Sequence, residues 1–187
     1  MTCVSPPPFR VAVIGSGPAG VYAGEALVAW SDAQDEPRRP IVVDLIDRLP
    51  VPYGLLRHGV APDHPRIKGI ARTLEGITQD PRIRFLGNVE FGTDLTLEDA
   101  RRHYHAVVFA TGAITDRPLG IPGEDLEGVI DSITFLRDVN LGRNTIKVGE
   151  KVAVVGGGNA AIDAARTALR TGAKKVTIVY RRLKEDM

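Results

Sequence analysis

Cysteine is almost absent: Cys3 is the only one in 187 residues. One thiol cannot form a redox-active Cys-x-x-Cys pair, an internal disulfide or an iron–sulfur site. Disulfide-reductase chemistry is therefore not expected, and any electrons would have to pass through a bound organic cofactor. A surplus of charge is missing too. Lys and Arg number 24 against 23 Asp and Glu, and the resulting +1 supplies no field for nucleic acid or an anionic membrane. No apolar run approaches the length needed to span a bilayer. The opening MTCVSPPPFR lacks a basic end followed by an apolar stretch. The expectation is a cytosolic protein with no secretory signal, membrane span or nucleic-acid partner.

Glycine, by contrast, is plentiful at 20 residues and gathers at two places. An apolar strand over about 10–14 runs into Gly15-Ser16-Gly17-Pro18-Ala19-Gly20, then a small-residue helix to about Trp30. Residues 31–40 are polar, charged and proline-containing, which predicts a loop. A strand over 41–46 ends at Asp47, and the Pro- and Gly-rich 48–65 stretch reads as an extended excursion. Over 66–79, Ile67, Ile70, Leu74 and Ile77 share one helical face. Residues 82–91 alternate as a strand, and Thr96 with Asp99 forms a capping box opening a helix to about Tyr104. A buried-type strand over 106–110 stops at Thr111-Gly112, and a helix is expected over about 132–139. The first pattern then returns: strand 152–155, Gly156-Gly157-Gly158-Asn159-Ala160-Ala161, a helix to about Thr171, and a strand over 175–180 that ends at Arg181-Arg182. This alternation predicts an α/β fold with largely parallel sheet.

The glycine spacing has a chemical rationale. A pyrophosphate needs backbone N–H groups at a helix N-terminus, where the dipole favours negative charge. The first glycine permits the sharp turn, the second clears a Cβ from the phosphate's path, and the third lets helix and strand pack closely. Gly15, Gly17 and Gly20 fit, as do Gly156, Gly158 and Ala161 in the variant ending in Ala; each copy lies between strand and helix. Two Rossmann-like dinucleotide-binding units are thus predicted. The residues that close each second strand separate the two ligands. Asp47 can accept hydrogen bonds from a ribose 2′-hydroxyl, whereas Asp44, on a buried strand, points elsewhere. The second unit offers Arg181 and Arg182 instead of an acid, which suits a 2′-phosphate and therefore NADP. The plainer alternatives are structural glycine turns and a solvated strand end.

Gly15–Gly20, Asp47, Pro52-Tyr53-Gly54-Leu55, Gly59-Val60-Ala61-Pro62-Asp63-His64-Pro65 and Ala110-Thr111-Gly112-Ala113 resemble the adrenodoxin reductase family of ferredoxin–NADP reductases. From about Gly128 onward, and most of all over 151–187, the chain resembles the NADPH-binding region of the glutamate synthase small subunit. The resemblance implies FAD across residues 1–127, a connecting helix and linker at 128–150, and the start of an NADP(H)-binding domain at 151–187. FAD's adenosine and pyrophosphate would lie against Gly15, Gly17, Pro18, Ala19, Gly20 and Asp47. Gly54, Leu55, Val60, Thr111 and Gly112 would approach its flavin end. Asn159, with Ala160 and Ala161, would meet the NADP pyrophosphate, and Arg181 and Arg182 its 2′-phosphate. In that family the histidine of Ala-Pro-Asp-His-Pro, here His64, sits by the flavin and helps proton and hydride transfer, with the aspartate matching Asp163 in the same neighbourhood. Read from the residues alone, His64 is a loop imidazole able to shuttle a proton. Asp163, likewise, is a first-turn helix carboxylate stabilised by the dipole. No metal ligands are expected.

The activity so implied is hydride transfer from NADPH to FAD, followed by electron transfer to a ferredoxin-like iron–sulfur protein. Two other readings stand beside it: an electron-input subunit of glutamate synthase type, against which a lone cysteine argues, and a non-catalytic nucleotide-binding fragment. The basic residues Arg57, His58, His64, Arg66, Lys68 and Arg72 form either a steering surface for an acidic partner or a solvated helix face. Relatives of this kind continue beyond the second fingerprint and return to finish the flavin site. The expectation is thus a truncated chain that is marginally stable and binds FAD weakly or not at all alone, which would leave it inactive by itself.

Overall fold

A computed structural model describes residues 7–34, 39–63, 65–113, 118–143 and 145–183. The chain is α/β and divides into two compact units, Met1–Leu56 with Lys68–Gly112, and Arg57–Ile67 with Ala113–Met187. The elements in chain order are β1 (Phe9–Ile14), α1 (Pro18–Asp32), β2 (Ile41–Ile46), α2 (Gly54–His58), α3 (Pro65–Thr78), β3 (Ile83–Leu86), α4 (Leu97–His103), β4 (Ala106–Phe109), α5 (Ser132–Asn140), β5 (Lys151–Val155), α6 (Asn159–Arg170) and β6 (Lys175–Val179).

In the first unit the strands form a parallel sheet in the order β3-β2-β1-β4. Helices α1 and α3 cover one face of the central strands and residues of the 89–107 segment the other, so β1 and β2 are buried on both faces and read as continuous apolar runs. Val11, Val13, Val43 and Leu45 pack with Val21 and Val28 of α1 and with Leu74 and Ile83, while Ala12, Ile14 and Ile46 face a second cluster. In the second unit β5 and β6 pair in parallel, and Ala164, Ala168 and Ala173 pack with Phe135. The alanines of α6 allow that helix to lie close to its neighbours.

Several local expectations are corrected. The 48–65 stretch is not extended throughout, because α2 interrupts it; five residues are too few to show a helical period. Tyr53 turns the chain there with φ +84°, and both Tyr53 and Leu56 are buried. On α3 Leu74 is fully buried but Ile70 is 45% exposed, so the apolar stripe is narrower than its spacing suggests, and the side chain of Ile67 lies outside the described residues. Strand β3 stops at Leu86 because Asn88, at φ +57°, leaves the extended region; Phe91 makes only an isolated bridge to Leu95. Strand β4 is half-buried rather than buried, since it lies at the sheet edge, and Phe109 is 57% exposed.

Asp44 points away from the glycine turn, as expected, into a polar cluster. It sits opposite Arg84 in the β2–β3 register, and its carboxylate accepts from Arg84 Nε at 2.7 Å, Arg84 Nη2 at 2.8 Å, Tyr104 Oη at 2.9 Å and Arg10 Nη2 at 3.4 Å. Burial pushes this carboxyl up, but the hydrogen bonds from Arg84, Tyr104 and Arg10 outweigh it and hold it below the usual carboxylate range. The Tyr104 phenol is pushed up to about 12 by burial and by the same carboxylate. A depressed folded-state value means stability that is present above the unfolded value of about 3.9 and is lost as pH falls through the folded one. Asp44→Asn should therefore cost about 1.5–3 kcal/mol near neutrality, the range for hydrogen bonds to a charged group. In urea unfolding the gap between parent and variant should narrow as pH falls from about 5 toward 3. A gap independent of pH would contradict this assignment.

Candidate functional site

The first glycine turn is built by three backbone constraints. Gly15 has φ +106°, and a Cβ there would strike the Ala110 carbonyl; a Cβ on Gly20 would strike the carbonyl of Gly15. At Gly20 helix and strand approach too closely for a side chain, and at Gly15 the positive φ and the neighbouring Ala110 backbone leave room only for glycine. Gly17 differs: a Cβ there meets nothing within 4 Å. It is the N-cap of α1 with no side-chain cap, Pro18 follows it, and no acid stands in the first turn. The first-turn N–H groups have no intrahelical partner, so the positive end of the dipole is presented to an anion.

The turn is pinned from two sides. Ser16, fully buried, donates its N–H at 2.9 Å and its hydroxyl at 2.6 Å to Asp47 Oδ2, while Asp47 Oδ1 accepts from Leu49 N at 3.0 Å. Tyr53 N donates to Ser16 O at 2.8 Å, and an added Cβ on Gly54 would sit 3.1 Å from Gly17 Cα. Tyr53 is itself tied to Thr78 through its phenol oxygen at 3.0 Å. Ala110 N donates to Ile14 O at 2.8 Å, which seats Ala110-Thr111 against Gly15. Gly15, Gly17, Pro18, Ala19, Gly20, Asp47, Gly54, Thr111 and Gly112 are thus gathered around the end of β1, with Leu55 exposed beside them on α2. Ser16 and Tyr53 were missed by sequence reasoning. Ser16 holds a variable position of the fingerprint, and only its burial marks it.

The second turn repeats the geometry with different chemistry. Gly156 has φ +129°, its N–H donates to Val179 O at 2.9 Å, and Gly158 is the uncapped N-cap of α6, again with no acid in the first turn. Asn159, Ala160 and Ala161 open the helix. The Tyr180 ring lies against Gly157, so the exposed Arg181 and Arg182 come directly after a residue packed on the turn. Asp163 is buried and lies in the second turn of α6, which corrects the first-turn expectation.

The 57–63 stretch is fastened to this second unit. Asn140 Nδ2 donates to His58 O at 2.9 Å and to Val60 O at 3.1 Å, and Ala61 N donates to Asp163 Oδ2 at 3.0 Å. Asp63 forms ion pairs with Arg166 and, at 2.7 Å, with Arg170. None of these partners could be found from local pattern, because they lie 80 or more residues apart in sequence. His64 lies outside the described residues. Of the basic cluster, His58 is buried, not a member of a solvated face. Among the described residues no group of His, Cys, Asp and Glu is placed to hold a metal ion.

Comparison with known proteins gives a consistent set of relatives. The pattern of the pyridine nucleotide-disulphide oxidoreductase family matches residues 9–185. An NADPH-ferredoxin reductase FprA of Mycobacterium leprae is 42% identical over 162 residues, covering 84% of this chain and 35% of that protein. A mitochondrial NADPH:adrenodoxin oxidoreductase of Arabidopsis thaliana is 40% identical over 169 residues, covering 87% of this chain and 34% of the relative. The structure of Mycobacterium tuberculosis FprA in complex with NADPH superposes with a TM-score of 0.82 at 36% identity, covering 94% of this chain and 44% of that one. The chain spans about a third of the length of these curated relatives.

The glycines of the first turn separate by what they touch. Gly20→Ala should destabilise the fold by about 1–3 kcal/mol, the cost of overpacking, whereas Gly17→Ala, which meets no neighbour and only weakens the N-cap, should cost less, about 0.5–1 kcal/mol. Chemical denaturation of the two variants checks this, and equal losses would show that Gly17 is also a packing position.

Proposed function

The chain belongs to the pyridine nucleotide-disulphide oxidoreductase family, and from that premise we propose that it serves an FAD-dependent NADP(H) oxidoreductase which takes hydride from NADPH and delivers electrons to a ferredoxin-like iron–sulfur protein. The observation that carries the reading is the contrast between two otherwise matched glycine turns. Each ends a parallel strand and opens an uncapped helix free of first-turn acid. In one the second strand ends at a carboxylate bonded to the turn, Asp47; in the other the second strand is followed by the exposed pair Arg181-Arg182. An acid suits ribose hydroxyls; a pair of guanidinium groups suits a 2′-phosphate.

Both ligands fit the residues present. The amides at the start of α1 would hold the FAD pyrophosphate, with Gly17 leaving its approach clear and Asp47 turned to the ribose. Gly54, Leu55, Val60, Thr111 and Gly112 are assigned to the flavin end. The start of α6 at Gly158, Asn159, Ala160 and Ala161 would hold the NADP pyrophosphate, and Arg181 and Arg182 the 2′-phosphate. When bound, the flavin supplies the step from an electron pair to single electrons. His64 is assigned the movement of a proton, and Asp163 serves as a positioning residue, since its bond to Ala61 holds the loop that leads to His64. Residues 1–127 are proposed as the FAD portion, 128–150 as the connector and 151–187 as the start of the NADP portion. The cytosol is part of the same proposal; among the described residues no helix is long and apolar enough to cross a membrane.

The test is nucleotide preference followed by reduction. The purified chain should bind NADP+ at least about tenfold more tightly than NAD+, a difference of about 1.4 kcal/mol. Arg181→Ala combined with Arg182→Ala should remove that preference. With FAD in excess, anaerobic NADPH should bleach the flavin band faster than NADH does. Equal affinities for the two nucleotides would sink the NADP assignment, and a flavin band untouched by NADPH would sink the hydride-transfer assignment.

A further inference from the structure

We infer that Asp63, Arg166 and Arg170 form a clamp that couples nucleotide binding at the start of α6 to the order of the 58–63 loop. The inference rests on the reading of Gly158–Ala161 as the NADP(H) pyrophosphate site and deepens it. Helix α6 carries both ends of the device. Its N-cap, Gly158, and first residues face the anion; Asp163 comes in the second turn, and Arg166 and Arg170 lie three and seven residues beyond Asp163. This spacing puts the three side chains on one face of the helix.

That face holds the loop at two points. The buried Asp163 carboxylate accepts the Ala61 amide at 3.0 Å, and Asp63 pairs with Arg166 and, at 2.7 Å, with Arg170. The Asp63 side chain is only 18% exposed, so its charge is partly withdrawn from water between two guanidinium groups. Asn140 of α5 holds the carbonyls of His58 and Val60 from another side. Four side chains from two helices therefore hold the 58–63 stretch.

Coupling arises from how such a loop is ordered. The Ala61 and Asp63 bonds require the first turns of α6 to be wound, and an anion on the first-turn amides favours the wound state. Whatever orders those turns lowers the entropy that the loop must still lose, and the loop in turn favours the nucleotide-bound helix. By linkage the two effects are the same size: loosening the clamp must weaken nucleotide binding by the factor by which nucleotide tightens the loop. Arg166 and Arg170 are then positioning residues, acting through Asp63.

The experiment uses the 187-residue chain and NADP+ alone, with two readouts. Amide exchange at 58–63, with the Ala61 amide as the direct reporter, should slow on adding NADP+. Asp63→Asn, measured by titration calorimetry, should raise the Kd for NADP+ by about fivefold, and Asp63→Glu should restore it. Asp80→Asn, which removes a partner of Arg82 in the other unit, should lower thermal stability without altering that Kd. If Asp63→Asn fails to fold, Arg170→Gln removes one arm and leaves Arg166, and the parent's exchange data stand without any variant. Saturable NADP+ binding with no change in 58–63 exchange, or with the same Kd in Asp63→Asn, overturns the coupling and leaves the NADP site intact. No NADP+ binding by the parent chain overturns the site assignment and the coupling with it.

Discussion

The approach of α1 to β1 is the constraint on which the first unit depends. A helix can present its unpaired amides to an anion at the end of a strand only if the connecting turn is very short. A short turn forces the first helical turn against the preceding backbone. Gly20 against the carbonyl of Gly15 is where that compression is felt, while Gly15 itself lies against the carbonyl of Ala110 at the end of the neighbouring β4. The remaining parts of the turn are consequences. Ser16, caught between the two, has its amide and hydroxyl turned to Asp47 and its carbonyl turned to Tyr53. The acid that ends β2 therefore stabilises the glycine turn.

The second unit obeys the same constraint less tightly. Ala161 replaces the third glycine, and a Cβ on Gly156 would meet only that alanine's methyl group, at 3.3 Å. Among the described residues its sheet has two strands where the first unit's has four, and Val155 and Val179 are more than half exposed. Less apolar area is available to hold the turn, so a larger share of the ordering falls on polar contacts. Asp163, Arg166, Arg170 and Asn140 supply them.

Much of the fold could be read from the chain because its signals are local. The strands leading into the glycine turns, the Thr96–Asp99 capping box and the helix at Ser132–Asn140 rest on residues a few positions apart, and each is present. The glycine spacing located both turns for the same reason. Local pattern misled where one residue changes the backbone: Asn88 ends a strand whose alternation continues, and Tyr53 starts a helix too short to show a period. It misled again over burial, since nothing in 106–109 says that β4 is an edge strand. The clamp on the 57–63 stretch was beyond reach altogether. Its residues are ordinary charged side chains whose meaning comes from partners about 100 positions away.

Charge placement ties these levels together. Neither α1 nor α6 has an acid in its first turn, although acids there are favourable for an isolated helix. Leaving both ends bare costs helix stability and keeps the dipole available to a bound anion. Helix α4, which belongs to neither turn, shows the opposite choice: Glu98 and Asp99 fill its first turn and Thr96 caps it. In α6 the first acid is delayed to Asp163, where it reaches the Ala61 amide instead of the helix's own end. One carboxylate moved by a turn thus keeps the anion site open and fastens a loop. The same sequence of choices explains why α6, more than either glycine turn, is where binding and loop order meet.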